Sequence, residues 1–213
     1  MPVRTIVREL FSENREHCAR GLRRLARTLS ADSETGLPEE ERHEKRAALA
    51  EKDCEARLLA LGESEHEALR ELAADALGSW GGDAAFAALA RLTEDETKQV
   101  RASAVGAMEH WPASEQAYEL LLGGMDDSDW LVRMRAARAL TAFDGVDAER
   151  ALLAGLTDPD SFVRNNCADA LRHREPERVL PGLRRVFDHP APEMLDGAFS
   201  LFGDLGIAED ARF

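Results

Sequence analysis

Two histidine–glutamate pairs, His43-Glu44 and His66-Glu67, are the residues of this chain whose types best suit metal chemistry. Imidazole and carboxylate groups bind zinc and iron, so the two pairs could contribute to a metal centre. The sequence contains no nucleophile elbow, no glycine-rich phosphate loop and no CxxC pair. A catalytic role would therefore need a site assembled between separate parts of the chain, and we assign no catalytic residue.

The elements that position these residues are repeated helices. The pattern Val-Arg-x-x-Ala-Ala-x-Ala-Leu, or a close variant, begins at Leu69, Val100, Val132 and Val163, with a degenerate copy at Met194. The copies are about 31 residues apart, a period typical of stacked helical repeats. Apolar residues at relative positions 0, 4, 5 and 8 follow the period of an α-helix.

Glycine and proline turns between the copies predict two helices in each repeat. The pattern helices are predicted over residues 65–79, 97–110, 129–142, 160–173 and 192–205. The second helices are predicted over residues 83–93, 114–124, 147–156 and 176–187.

This pattern resembles that of HEAT repeats, in particular the short form named after phycobilisome lyases, over about residues 60–205. Its most specific element is an aspartate six residues before an arginine. The chain has three such pairs: Asp95/Arg101, Asp127/Arg133 and Asp158/Arg164. The resemblance implies an all-α fold, a right-handed α-solenoid of about five HEAT-like helix pairs. It also implies that the pairs form a ladder of ion pairs between successive repeats.

The resemblance argues against a metal centre at the histidines. Deoxyhypusine hydroxylases, which are HEAT-repeat enzymes, bind two irons through four His-Glu pairs in register with the repeat. The later repeats carry no such pair, and positions 2 and 3 of their pattern helices are Ala102-Ser103, Met134-Arg135 and Asn165-Asn166. We therefore expect no metal and no cofactor.

Positions 2, 3, 6, 9 and 10 of the pattern helix line the concave surface in HEAT proteins. In this chain they change from acidic residues in the first repeat, such as Glu71 and Asp75, to basic and amide residues later. The candidate partner-binding residues are Met134, Arg135, Arg138, Asn165, Asn166, Arg172 and His173, with Trp130 near a helix start. Arginine and asparagine suit an acidic peptide, a carboxylate or a phosphate. The alternative is an ordinary solvated face.

Residues 1–61 are predicted to be a helical hairpin, followed by one continuous repeat region over residues 62–213. Apolar residues spaced by three and four from Val3 to Leu29 predict its first helix, and a second helix should run from near Pro38 to Leu61. The hairpin would cap the solenoid. The alternative is a dimerisation arm.

The last repeat lacks an evident second helix, so its apolar residues should be exposed. Phe199, Phe202 and Phe213 are the candidates for this C-terminal end. Because exposed apolar ends favour association, we expect this end to dock against another chain or to be closed by a short turn. A homodimer could form through this end or through the N-terminal hairpin.

Composition limits the classes of partner. The net charge is −14, and the acidic side chains concentrate in residues 31–130, so binding to nucleic acid is disfavoured. Cys18, Cys54 and Cys167 suit the core of a reduced, cytoplasmic protein, and no apolar run is long enough for a membrane span. Low lysine with high acid content suits a high-salt cytoplasm or a GC-rich genome.

The function we expect from the sequence is that of a cytoplasmic, non-catalytic scaffold. It would bind a protein partner through the concave surface or an exposed end. Two alternatives stay open. One is an auxiliary factor resembling bilin lyases, which would bind a tetrapyrrole and its carrier protein. The other is a HEAT-like nucleic-acid-binding or DNA-repair protein, which the acidity disfavours.

Overall fold

Helices make up the regular structure of this protein. The computed structural model describes residues 3–30, 38–111, 114–187 and 195–205. The chain divides into two compact units, Met1–His110 and Trp111–Phe213. The described residues form thirteen α-helices and no strand, so the all-α repeat fold predicted from the periodicity is confirmed.

The first unit has two layers of helices. Its helices are α1 (Val3–Leu10), α2 (Arg15–Leu29), α3 (Glu39–Ala50), α4 (Cys54–Gly62), α5 (Glu67–Trp80), α6 (Asp83–Leu92) and α7 (Lys98–Ala107), with a 3₁₀ turn at Met108–His110. In one layer α5 lies between α2 and α7, and in the other α4 packs against α6. Helix α2 thus extends the row of pattern helices, although its sequence does not follow the repeat.

The second unit is built in the same way. Its helices are α8 (Glu115–Gly124), α9 (Trp130–Ala139), α10 (Val146–Gly155), α11 (Ser161–Arg172), α12 (Pro176–Val186) and α13 (Asp196–Asp204), with a 3₁₀ turn at Leu140–Ala142. Helix α11 lies between α9 and α13, and α10 packs between α8 and α12 in the second layer. These bounds agree closely with the predicted helices. The helix predicted over residues 192–205 is described only from Leu195 onward.

Small side chains in the core let the two layers approach closely. A Cβ atom at Gly155 in α10 would lie 2.4 Å from Cys167 Sγ in α11, a distance that no side chain could tolerate without a shift. All three cysteines are buried and form no disulfide. Burial, with a smaller effect of Asp53, raises the pKa of the Cys54 thiol to about 11. The thiols therefore act as apolar core residues.

The N-terminal residues depart from the predicted hairpin, because each of its two helices is broken. Helix α1 ends at Leu10, and the Asn14 side chain caps α2 by accepting hydrogen bonds from the backbone N–H of Glu16 at 3.0 Å and of His17 at 3.2 Å. The second break lies at Asp53, whose φ of 56° separates α3 from α4. The prediction of two continuous helices here is wrong, since apolar spacing alone does not register these caps.

An arginine near the start of a pattern helix joins neighbouring repeats at three places that the structure describes, Arg70, Arg133 and Arg164. In the second unit, Arg133 Nη1 donates to the Asp127 carbonyl oxygen at 2.8 Å, while Nε and Nη2 donate to the Asp158 carboxylate at 2.7 and 3.0 Å. In the first unit, Arg70 donates to the Ser64 carbonyl at 2.9 Å and to the Asp95 carboxylate at 2.7 and 2.9 Å. We call this arrangement the arginine clamp.

The clamp uses the aspartate six residues before each arginine in two ways. The main-chain carbonyl of Asp95 accepts from Arg101 at 2.9 Å, while its carboxylate accepts from Arg70 of the preceding repeat. Asp158 likewise offers its carbonyl to Arg164 at 2.8 Å and its carboxylate to Arg133. Since any residue has a main-chain carbonyl, Ser64 can stand before Arg70 without breaking the arrangement.

The carboxylate partner of Arg164 comes from a position that the repeat does not predict. Arg164 Nε and Nη2 donate to Asp196 at 2.6 and 3.2 Å, at the start of α13. The position expected from the repeat is His189, which lies outside the described residues. Asp196 therefore supplies the carboxylate for the last clamp that the structure describes.

We predict that Asp95→Ala lowers the free energy of unfolding by about 3 kcal/mol, because it leaves the partly buried Arg70 guanidinium without its carboxylate. The matched control is Glu63→Ala. Glu63 and Arg91 form an ion pair with side chains 72% and 62% exposed, and its loss should cost no more than about 0.5 kcal/mol. Urea unfolding of both variants measures the difference, and equal costs would contradict a special role for the clamp.

Candidate functional site

The candidate partner-binding residues lie on the surface of α9 and α11 that faces away from the core. Buried positions such as Val132 and Val163 fix the opposite side of each helix in the unit's interior. We name the exposed side the α9/α11 face and define it by Trp130, Met134, Arg135, Arg138, Phe162, Asn165, Asn166, Arg172 and His173. Arg138, Asn165 and His173 are exposed on it, and Met134 and Arg135 are half-buried.

A stacked aromatic pair occupies the N-terminal end of this face. The rings of Trp130 and Phe162 lie 5.6 Å apart between centroids, with planes 28° apart. They remain 38% and 59% exposed, respectively. The carboxylates of Asp129 and Asp160 cap the N-termini of α9 and α11 by accepting hydrogen bonds from the backbone N–H of Leu131 and Phe162. These caps fix where the two helices begin, and therefore the positions of Trp130 and Phe162 in the first turns.

Phe162 is a site residue that the sequence analysis missed. It lies one residue before the repeat pattern, at a position that carries Leu131 in the preceding repeat and Gln99 in the one before that. Because the residue type at that position varies between repeats, the sequence alone does not mark it as a binding position. What brings Phe162 into the site is its neighbour Trp130, which only the packing of α9 against α11 places beside it.

The polar residues of the face differ in how fully they are already bonded. Within the described parts of the chain, Arg138 and Asn165 form no ion pair or side-chain hydrogen bond, and the buried Nε of Arg135 has no hydrogen-bond partner. Asn166 Nδ2 donates to the Phe162 carbonyl at 2.8 Å, which leaves its amide oxygen as an acceptor. Arg138 and Asn165 are therefore the groups most available to a ligand.

Arg172 has internal partners. Its Nε donates to Asp204 at 2.5 Å and its Nη2 to the Ser200 hydroxyl at 2.9 Å, and Asp169 also accepts from it. The hydrogen bond to Asp204 is the main cause that raises the pKa of Arg172. These bonds hold α13 against α11, so the structure assigns Arg172 to helix packing.

The C-terminal end is partly closed by aromatic contacts. The ring of Phe187, the residue that follows α12, packs against Phe199 at 5.1 Å and against Phe202 at 5.7 Å between centroids. Phe202 is half-buried there, while Phe199 remains 59% exposed. Phe213 lies outside the described residues.

The histidines of the sequence analysis lie on the surface. The His43 side chain is 72% exposed and lies 3.8 Å from Glu39, and His66 is exposed just before α5. The described part of the chain contains no group of three or more His, Cys, Asp or Glu residues that could hold a metal ion. None of its helices has the length and apolarity that a membrane span requires.

A groove lies between α10 and α12 of this unit. It has a volume of about 650 Å³, and its walls include Val146, Leu153, Arg185 and Val186. Arg178 in the groove pairs with the buried Glu149 at 2.6 Å. The sequence pattern does not reveal this groove, because its walls come from two second-layer helices that carry no shared motif.

A family model described as HEAT repeats matches residues 118–200. This part of the chain is similar to HEAT repeats. No curated protein sequence matches the chain.

Solved structures show the same fold over nearly the whole chain. A designed armadillo repeat protein in complex with the peptide (KR)4 is 18% identical with a TM-score of 0.59, and the match covers 96% of this chain and 100% of that one. An engineered protein is 20% identical with a TM-score of 0.57, covering 97% and 98% of the two chains. The S. pombe condensin Cnd3-Cnd2 subcomplex matches at 19% identity and a TM-score of 0.61, covering 96% of this chain and 27% of that one.

We predict that the Arg164–Asp196 clamp weakens at acidic pH. The hydrogen bond from Arg164 lowers the pKa of Asp196 and outweighs burial, which opposes it. The clamp's contribution is complete above the unfolded-state pKa of about 3.9 and is lost as the pH falls through the lower folded-state value.

The measurement is the difference in free energy of unfolding between the natural chain and Asp196→Asn. We expect this difference to be largest near neutral pH and to shrink below about pH 4. The control is Asp126→Asn, because Asp126 is exposed and has no ion-pair partner among the described residues. If the difference in free energy of unfolding between the natural chain and Asp196→Asn did not change with pH, the proposed link between Asp196 protonation and stability would be contradicted.

Proposed function

We propose that this protein is a non-catalytic scaffold, and that an extended peptide segment of its protein partner binds to the α9/α11 face. The observation that carries the proposal is the exposed stack of Trp130 and Phe162 beside unpaired polar groups on the same face. Tryptophan and arginine are the residue types that most often dominate protein interfaces.

The aromatic pair suits an apolar anchor residue of the partner. The two rings leave apolar area in water, and covering them would recover hydrophobic free energy that the free protein lacks. Their positions at the helix starts place them at one end of the face, so they would fix the register of a bound segment.

The rest of the face suits a peptide backbone and an acidic side chain. Asn165 is exposed, and its amide can donate to a peptide carbonyl and accept from a peptide N–H at the same time. Arg138 can pair with a carboxylate, and its planar guanidinium favours two parallel hydrogen bonds. The segment we infer therefore combines an aromatic or aliphatic residue with an acidic one.

The structural relatives support protein binding as the class of function. One of them is a designed armadillo protein in complex with a peptide, and another belongs to a condensin subcomplex. The peptide in the first complex, (KR)4, is basic, whereas the arginines of the α9/α11 face favour an acidic segment. Neither the bilin-lyase-like nor the nucleic-acid alternative has a specific observation in its favour among the described residues.

The location and oligomeric state remain proposals. Buried free cysteines suit a reducing compartment, which supports a cytoplasmic location. The exposed ring of Phe199 is the described residue that a homodimer through the C-terminal end would cover. Sedimentation equilibrium at increasing protein concentration tests this, and a monomer at all concentrations would contradict the homodimer.

The binding proposal is tested with the full chain as bait in an extract of the source organism, followed by overlapping peptides of the captured protein. We expect a single peptide to bind, and Trp130→Ala with Phe162→Ala to weaken its Kd about 30-fold, as expected for interface anchors. Arg138→Glu should also weaken it.

The matched control is Arg150→Glu, which reverses the charge of an exposed arginine of the same unit in the second layer. It should leave the Kd of the peptide unchanged. Equal binding by all four proteins, with unaltered circular dichroism, would place the partner elsewhere and overturn the proposed site.

A further inference from the structure

A small cavity in the first unit lies where α2, α3 and α5 meet. Its volume is about 140 Å³. The lining residues are Leu29, Glu39, Arg42, His43, Arg46 and Trp80, with Ser79 beside them. None of these residues belongs to the α9/α11 face, and the proposed scaffold function makes no use of them.

Two half-buried arginines point into this cavity without a carboxylate partner. The Arg46 guanidinium lies 5.6 Å from the centroid of the Trp80 ring, and its Nη2 donates to the Gly81 carbonyl at 3.2 Å. The Nε of Arg42 is buried and has no hydrogen-bond partner within the described ranges. No acidic residue described by the structure forms an ion pair with either guanidinium.

The half-buried arginines of this unit differ in their partners. Arg57, like Arg46, donates to a main-chain carbonyl, that of Leu10 at 3.2 Å, and forms no ion pair with a described carboxylate. Two other half-buried arginines each have a carboxylate: Arg24 pairs with Glu9 at 2.5 Å, and Arg70 with Asp95 at 2.7 Å. The chain as a whole has 41 acidic against 27 basic side chains, so carboxylates are abundant. Arg42 and Arg46 lie four residues apart on α3, where like charges repel each other.

The backbone holds one of the two arginines in place. Gly81 and Gly82 have φ values of 74° and 90°, a conformation that side-chain-bearing residues rarely adopt. A Cβ atom at Gly82 would lie 3.2 Å from Arg46 Nη2, so the glycines leave room for the guanidinium. The turn and the Trp80 ring together orient Arg46 before any ligand arrives.

We propose that this cavity binds a small oxyanion, either a phosphate or a carboxylate group. Two guanidinium groups supply donors that match its oxygens, and a bound anion would remove the repulsion between them. The carboxylate of Glu39 at the rim is 79% exposed, so water screens its repulsion of a bound anion, and it forms no ion pair with either arginine. The volume is that of about four to five water molecules, too small for a nucleotide or a drug-sized ligand.

The test is isothermal titration calorimetry of the full chain with inorganic phosphate and, separately, with acetate at constant ionic strength. We expect one saturable site and a higher Tm in the presence of the bound anion. Saturation by phosphate alone supports a phosphate site, and saturation by acetate as well supports a site for either group. Absence of saturable binding of both anions would overturn the proposal.

Arg42→Gln and Arg46→Gln should each weaken anion binding by about tenfold or more. Arg42→Gln removes no described hydrogen bond or ion pair, so its effect cannot come from lost packing of that kind. The matched control is Arg91→Gln, which removes the same charge from an exposed arginine of the same unit. Equal weakening by all three variants would indicate a general charge effect and would also overturn the site.

Discussion

The arginine clamp is the interaction on which the arrangement of neighbouring repeats depends. Each clamp joins the loop before one pattern helix to the start of the next, through a carbonyl on one side and a carboxylate on the other. In the clamps of Arg70 and Arg133 both charged groups are largely removed from water, so leaving one of them unpaired is costly. The clamps of Arg133 and Arg164 also lie next to Trp130 and Phe162. By fixing where α9 and α11 begin, they bring the two rings into contact.

Core positions and surface positions of this sequence serve different purposes. Alanine, glycine and cysteine at the interior positions permit close helix packing, as between Gly155 and Cys167, but they offer no group that could recognise a ligand. Recognition is left to positions outside the apolar stripe, where the repeats differ from one another. The α9/α11 face belongs to these positions, whereas the arginines of the Arg42–Arg46 cavity lie on α3, outside the repeats and in the other unit.

The sequence was sufficient for features that depend on local spacing. The helix period and the glycine and proline turns predict the repeat helices closely, because each signal acts within one helix or one turn. The break before α2 was missed because the Asn14 cap overrides the apolar spacing on either side of it. Phe162, Asp196 and the cavity at Arg42 were missed for another reason. Each is defined by a residue on a different helix, and no repeat position marks the partner.

The main-chain carbonyl in the clamp has a consequence for how a repeat protein lengthens by duplication of its repeats. Every amino acid supplies that carbonyl, as Ser64 does for Arg70, so the residue type at this position can change without loss of the hydrogen bond. A duplicated segment needs only one arginine and one suitably placed carboxylate to join its neighbour. Asp196 shows that the carboxylate can also come from the first turn of the next pattern helix. Lengthening by duplication is thus compatible with wide divergence of the surface, and new binding specificities can arise in one copy without loosening the others.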